Sequence, residues 1–185
     1  MTRSHIFLAA SALLLSGCAT SPPSRTLALA PELSHHVAVD VVLDGQRVGG
    51  GQGTWLEPGL VVTTLDAVND VPPTGELVIR AGGDIRLPAS LWTGGNLDDA
   101  NVAFLFVHHP EKFGALRELP HQHLCESPVN AADPGHFDAP TPSLSGTPVA
   151  GPEGCVAGLL SVRDGEVVVV PLDALKLVAR GLPAR

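Results

Sequence analysis

Six of the eight histidines stand in three close pairs: His35-His36, His108-His109 and His121-Gln122-His123. Neutral imidazole nitrogens bind divalent ions directly, so such pairs are what a zinc or copper centre uses. The i, i+2 spacing in a strand would turn His121 and His123 to one face. Two histidines with no placed third ligand more often serve as surface polar groups, and no metal is expected. Asp98-Asp99 offers two adjacent carboxylates, which read as solvated loop acids rather than as an acid–base pair. Gly49-Gly50-Gly51-Gln52-Gly53 has the composition of a phosphate cradle. It opens no helix and no Lys-Ser/Thr follows it, so neither a nucleotide loop nor a cofactor is expected.

The elements that would carry these residues are short strands. The chain has 185 residues, enough for one domain or for two small halves sharing a core. Hydrophobic content of 44% against 16% charged excludes wholesale disorder. Twenty glycines and 17 prolines among many valines favour strands and turns over helices. With 11 basic against 19 acidic side chains, no clustered cationic surface is available for nucleic acid. His36 to Leu43 reads as a strand closed by the hairpin signal Asp44-Gly45. After the glycine run come strands over Thr54–Glu57, Leu60–Leu65, Glu76–Arg80, Ile85–Trp92 and Val102–Val107. Shorter candidates lie near Leu124, Val129 and Val149, and stronger ones at Cys155–Val162 and Glu166–Val170. Leu172 to Arg180 spaces Leu172, Leu175 and Val178 along one helical face. Such strand spacing with one terminal helix predicts a closed or sandwiched all-β domain. Trp55 and Trp92 fit barrel packing, or else a contact surface.

The first 17 residues read as an address rather than as structure. One fixed positive charge, Arg3, precedes an apolar run from Ile6 to Leu15, about half the length a membrane-spanning helix needs. Leu15-Ser16-Gly17-Cys18 resembles the bacterial lipoprotein signal, L-[AS]-[GA]-C. The resemblance implies that Cys18 is lipidated and becomes the first mature residue, and Ala19 after it implies the outer membrane. Ala19 to Ser34, rich in Pro, Ser and Thr, then forms a tether holding the domain roughly 20 Å off the lipid. Removing residues 1–17 takes Arg3 with it and deepens the acidic balance. Cys125 and Cys155 remain in an oxidising compartment, either paired with each other or as two free thiols; no C-x₂-C motif points to zinc.

The order of four motifs resembles trypsin-like serine proteases, particularly the HtrA type. Gly51 to Val68, G-Q-G-T-W-L-E-P-G-L-V-V-T-T-L-D-A-V, is similar to their G-S-G-x₆-G-x-V-L-T-x-x-H-V. Asp98 to Val107 resembles D-L-A-L-L-x-V, and Ser143 to Val149, S-L-S-G-T-P-V, resembles G-[ND]-S-G-G-P-[LV]. The stretch from Cys155 to Lys176 is similar to the hairpin after the nucleophile and the closing helix. The resemblance implies an all-β, two-barrel fold with a trimmed second barrel and a short C-terminal helix. Together with the lipoprotein signal, it divides the chain into signal peptide 1–17, lipidated tether 18–34, a first barrel half at 35–108 and a second half at 109–185. It also implies a Cys125–Cys155 disulfide.

The family's chemistry does not carry over with the motifs. The histidine position reads Asp66, the aspartate position Asn101, and only the nucleophile position, Ser145, is retained. Carboxylates titrate near 4 where imidazoles titrate near 6.5, and a shorter side chain must reach the serine. Asp66 also fits a plain turn or helix-cap residue. Ser143 replaces the glycine whose N–H points into the oxyanion hole, and its β-carbon disfavours positive φ. Only 12 residues separate Asn130 from Ser143, which leaves the substrate pocket small or absent. The expectation is a non-catalytic lipoprotein of the outer membrane, facing the periplasm, anchored through Cys18 and binding or scaffolding an envelope protein. The alternative is a serine hydrolase of non-standard geometry, in which His121, His123 or His136 serves Ser145 as base.

Overall fold

The computed structural model describes residues 36–81, 85–92, 100–108, 123–126, 140–151 and 154–182. Six strands close into an antiparallel barrel: β1 (His36–Leu43), β2 (Gln46–Glu57), β3 (Leu60–Thr64), β4 (Glu76–Ala81), β5 (Ile85–Leu91) and β6 (Val102–Val107). Their order around the barrel is β1-β2-β3-β6-β5-β4, with β1 against β4 completing the ring. Alternation decides which way each strand faces. Val37, Val39 and Val41 of β1 point inward to meet Ile79, Leu87, Trp55 and Leu105 in the barrel core. Asp40 points outward yet is buried, held between Arg47 Nε at 2.8 Å and Arg80 Nε at 2.9 Å.

Both faces of β3 and β6 are covered, so β6 is apolar throughout and β3 ends on two buried threonines, Thr63 and Thr64. Their outer face, Leu60, Val62, Val102 and Phe104, packs on the second half of the chain. There, β7 (Pro148–Ala150), β8 (Val156–Arg163) and β9 (Glu166–Pro171) form a three-stranded antiparallel sheet. Val156, Leu159 and Val170 face the barrel from this sheet. Helix α1 (Leu172–Ala179) adds Leu175 and Val178, while Leu177 stays 67% exposed. The side chain of Leu172 lies outside the described ones. Among the described residues Leu124 makes a single parallel bridge, to Val156. The candidate strand near Val129 lies outside the described residues.

The glycine run corrects the sequence reading. Instead of a loop before a strand starting at Thr54, it is the middle of β2, paired with β1 through Asp40↔Gly50 and Val39↔Gly51. A strand without side chains shows no alternation, yet it permits the closest backbone approaches. At Gly51 a β-carbon would sit 2.3 Å from the Ser145 carbonyl oxygen. β2 therefore passes directly against the segment that carries Ser145.

Candidate functional site

Asp66 sits in the 3-10 turn Leu65–Ala67, which continues from β3. Its carboxylate does not cap that turn. It instead gathers donors from three other places. Asn101 Nδ2 donates to Oδ2 at 2.9 Å, the Ser161 hydroxyl donates to the same oxygen, and Arg163 Nε lies 3.1 Å from Oδ1. Asn101 Nδ2 also donates to Ser161 Oγ at 3.0 Å. Asn101 stands just before β6 with φ +51, a left-handed conformation that asparagine accepts better than most residues. Its carbonyl takes the N–H of Leu65 at 3.3 Å. Asn101 and Ser161 are buried, whereas Arg163 is half exposed. Asp66 and Asn101, which the sequence resemblance pairs, are thus brought together, and a serine and an arginine from β8 join them.

Ser145 closes a second 3-10 turn, Pro142–Leu144. All three of its polar groups hold structure. Its N–H donates to the Pro142 carbonyl at 3.0 Å. Its carbonyl accepts the Gln52 N–H at 2.7 Å. Its Oγ accepts the Val162 N–H at 3.0 Å. The residue is 1% exposed, and among the described residues no side chain hydrogen-bonds its hydroxyl. Acyl transfer needs a base at the hydroxyl and N–H donors aimed at the developing oxyanion. Here the N–H of Ser145 already donates within its own turn, and the Asp66 carboxylate is engaged by three donors. Gly146 follows with φ +85 and donates to the Leu160 carbonyl at 2.8 Å.

Of the remaining sequence candidates, those among the described residues do not join this cluster. His108 and His123 are exposed, and among the described residues no three His, Cys, Asp or Glu side chains could hold a metal. His36 keeps contact with solvent, yet partial burial of its ring lowers its pKa below 6.5. His35, His109, His121, His136, Asp98, Asp99 and Cys18 lie outside the described residues. Cys125 and Cys155 form a disulfide, and the Cys125 N–H donates to the Val156 carbonyl beside it at 3.0 Å. Trp55, 1% exposed, packs in the barrel, and Trp92 packs partly buried beside the second half. Sequence reasoning missed Ser161 and Arg163. The available signal was a polar residue within the apolar run of β8, two positions before the arginine on the same face.

No protein-family model matches the chain, and no curated protein matches it. Solved structures do. The active form of the Rv3671c protease from M. tuberculosis superposes with a TM-score of 0.59 at 16% identity, over 98% of this chain and 96% of that one. An inactive form of the same protease gives 0.56 at 16% identity, over 88% of this chain and 97% of that one. A serine-to-alanine mutant in an inactive form gives 0.54 at 16% identity, over 88% and 95%. The fold is trypsin-like. At this identity the likeness extends to architecture, so the chemistry has to be read from the chain's own side chains.

Proposed function

We propose that this chain is a non-catalytic envelope lipoprotein whose protease-like domain binds or scaffolds a protein partner, with Cys18 lipidated and anchoring it to the outer membrane from the periplasmic side. The observation that carries the non-catalytic part is the state of Ser145: buried, its hydroxyl accepting the Val162 N–H and its own N–H held by Pro142. The Leu15-Ser16-Gly17-Cys18 signal supports the anchor. The trypsin-like fold supports the protease-like domain, and the hydrogen bonds that occupy Asp66 and Ser145 support a role other than catalysis.

Fluorophosphonate labelling tests this reading, because the reagent reports an activated serine. The purified protein should remain unlabelled, as a buried alcohol with no base beside it among the described residues has ordinary reactivity. Losing the base and its orienter leaves at most about 10³–10⁴ of acceleration over water, and that remainder depends on an oxyanion hole. Stoichiometric labelling that disappears in Ser145→Ala would overturn the proposal.

A further inference from the structure

Basic residues are scattered along the chain, but the fold gathers three of them on one surface. Arg47 of β2, Arg80 of β4 and Arg86 of β5 are exposed on the outer face of the barrel. Arg80 Nε donates to Asp40 Oδ2 at 2.9 Å, and Arg47 Nε pairs with Oδ1 at 2.8 Å. Arg86 stands directly across from Arg80 in the β4–β5 register, and among the described residues its guanidinium has no carboxylate partner. The second half of the chain packs on β3 and β6, the opposite wall of the ring, so among the described residues no element covers the arginines.

Stability does not account for this arrangement. Like charges directly opposite each other on a sheet weaken it. A carboxylate as buried as Asp40, 2% exposed, loses hydration that its ion pairs seldom repay. Three positive charges against that one negative charge leave an excess of two. Glu76, the other carboxylate facing outward from β1, β4 and β5, lies about 13 Å along β4 from Arg80. What Asp40 does achieve is orientation. It holds two guanidinium groups by their Nε atoms while both side chains stay 46% exposed, so their outer N–H groups are pre-set for anionic oxygens.

The place of this face in the chain selects the anion. Arg80 is paired with Ala38, two residues from His36, where the described residues begin. The 17 residues between Cys18 and His36 therefore join the domain beside the arginines. A flexible tether of that length spans roughly 20–25 Å and keeps the anchoring membrane at high effective concentration. We infer that Arg47, Arg80 and Arg86 dock the domain on the anionic lipid headgroups of that membrane, which turns α1 away from the lipid. The inference rests on the lipid-anchor reading and adds the orientation of the anchored domain. The chain's net charge of -8 does not oppose it, because salt screens charges beyond a Debye length of about 8 Å.

The test places the protein purified from membranes in lipid nanodiscs whose headgroups carry spin labels, and reads the broadening of side-chain methyl signals. Two exposed residues serve as native probes: Ile85 beside Arg86, and Leu177 on α1. In discs containing 30% phosphatidylglycerol the Ile85 methyl should broaden at least threefold more than that of Leu177. Discs of phosphatidylcholine alone should broaden both alike. Arg86→Glu removes no ion pair among the described residues and should lower the ratio of docked to undocked domain about 30-fold. Equal broadening of the two methyls in phosphatidylglycerol discs, an equal preference for Ile85 in phosphatidylcholine, or an unchanged pattern in Arg86→Glu would overturn the inference. So would an Ile85 shift with polyglutamate that the discs do not reproduce, since the partner would then be an acidic polypeptide. Mass spectrometry of the same protein reports separately on the anchor. If Cys18 carries no acyl group, the anchor reading fails. Coupling its thiol to a maleimide lipid, with Cys125 and Cys155 bonded to each other, then restores the tether, and the same broadening pattern decides the arginine face.

Discussion

Replacing Asp66 with alanine is expected to weaken the fold far more than a surface carboxylate would. Asp66 belongs to the barrel, while Ser161 and Arg163 belong to β8, so its carboxylate ties the two halves together. Asn101 and Ser161 are 7% and 0% exposed, so both donors depend on protein acceptors. Without the carboxylate, Ser161 Oγ can still accept from Asn101 Nδ2, but the serine proton and the second amide hydrogen lose their acceptor. Hydrogen bonds to a charged group contribute about 1.5–3 kcal/mol each. Asp66 keeps 23% of its side chain exposed, so water recovers part of that loss. The expected cost of Asp66→Ala is about 2–4 kcal/mol, or roughly 5–15 °C in Tm for a domain of this size.

Arg163→Ala supplies the internal comparison. The guanidinium side chain is 51% exposed, and ion pairs at such exposure contribute at most about 1 kcal/mol. Urea unfolding with the disulfide intact should therefore show a much larger drop in midpoint for Asp66→Ala than for Arg163→Ala, at unchanged m-value. If the two losses were equal, Asp66 would be an ordinary surface acid. It would then be free for proton transfer, and the structural account of this cluster would fail.

Ser145→Ala should destabilise by about 1–3 kcal/mol, because the Val162 N–H loses its acceptor; an unchanged urea midpoint would refute the structural role of the hydroxyl. Replacing Cys125 and Cys155 together by serine should cost about 3–4 kcal/mol on the chain-entropy account, given their separation of 30 residues, and equal stability with and without reductant would refute it. Cys18→Ser should abolish palmitate labelling and release the protein from the membrane fraction; retention in the outer membrane with label incorporated would remove the lipid anchor.

The barrel was legible where side chains alternate. Val37, Val39 and Val41 announce β1, and the Asp44-Gly45 turn follows with both residues at positive φ, as a tight hairpin requires. Val102 to Val107 was equally plain, because a run buried on both faces needs apolar residues throughout. The centre of β2 was not legible, since glycines carry no side chain from which a period can be read. The Asp66 cluster was half legible. Motif order located Asp66, Asn101 and Ser145, but Ser161 lies 95 residues from Asp66 and no local pattern joins them. Nor does any sequence rule show that a serine in a protease-like motif spends its hydroxyl on a main-chain N–H.

The residues that keep the protease motif recognisable here are explained by contact between the two halves, without reference to chemistry. A β-carbon at Gly51 would meet the Ser145 carbonyl at 2.3 Å and the Ala67 β-carbon at 2.8 Å. One at Gly146 would lie 1.9 Å from the Gln52 carbonyl oxygen, on a backbone whose φ of +85 already favours glycine. Gln52 in turn donates to the Ser145 carbonyl and accepts the Thr63 hydroxyl. Glycines and serine thus lock β2, β3 and the Ser145 turn into one seam. In this chain a larger residue at Gly51 or Gly146 would break that seam, whatever Ser145 does chemically. Asp66 and Asn101 are held differently, by the hydrogen bonds that tie the barrel to Ser161 of β8.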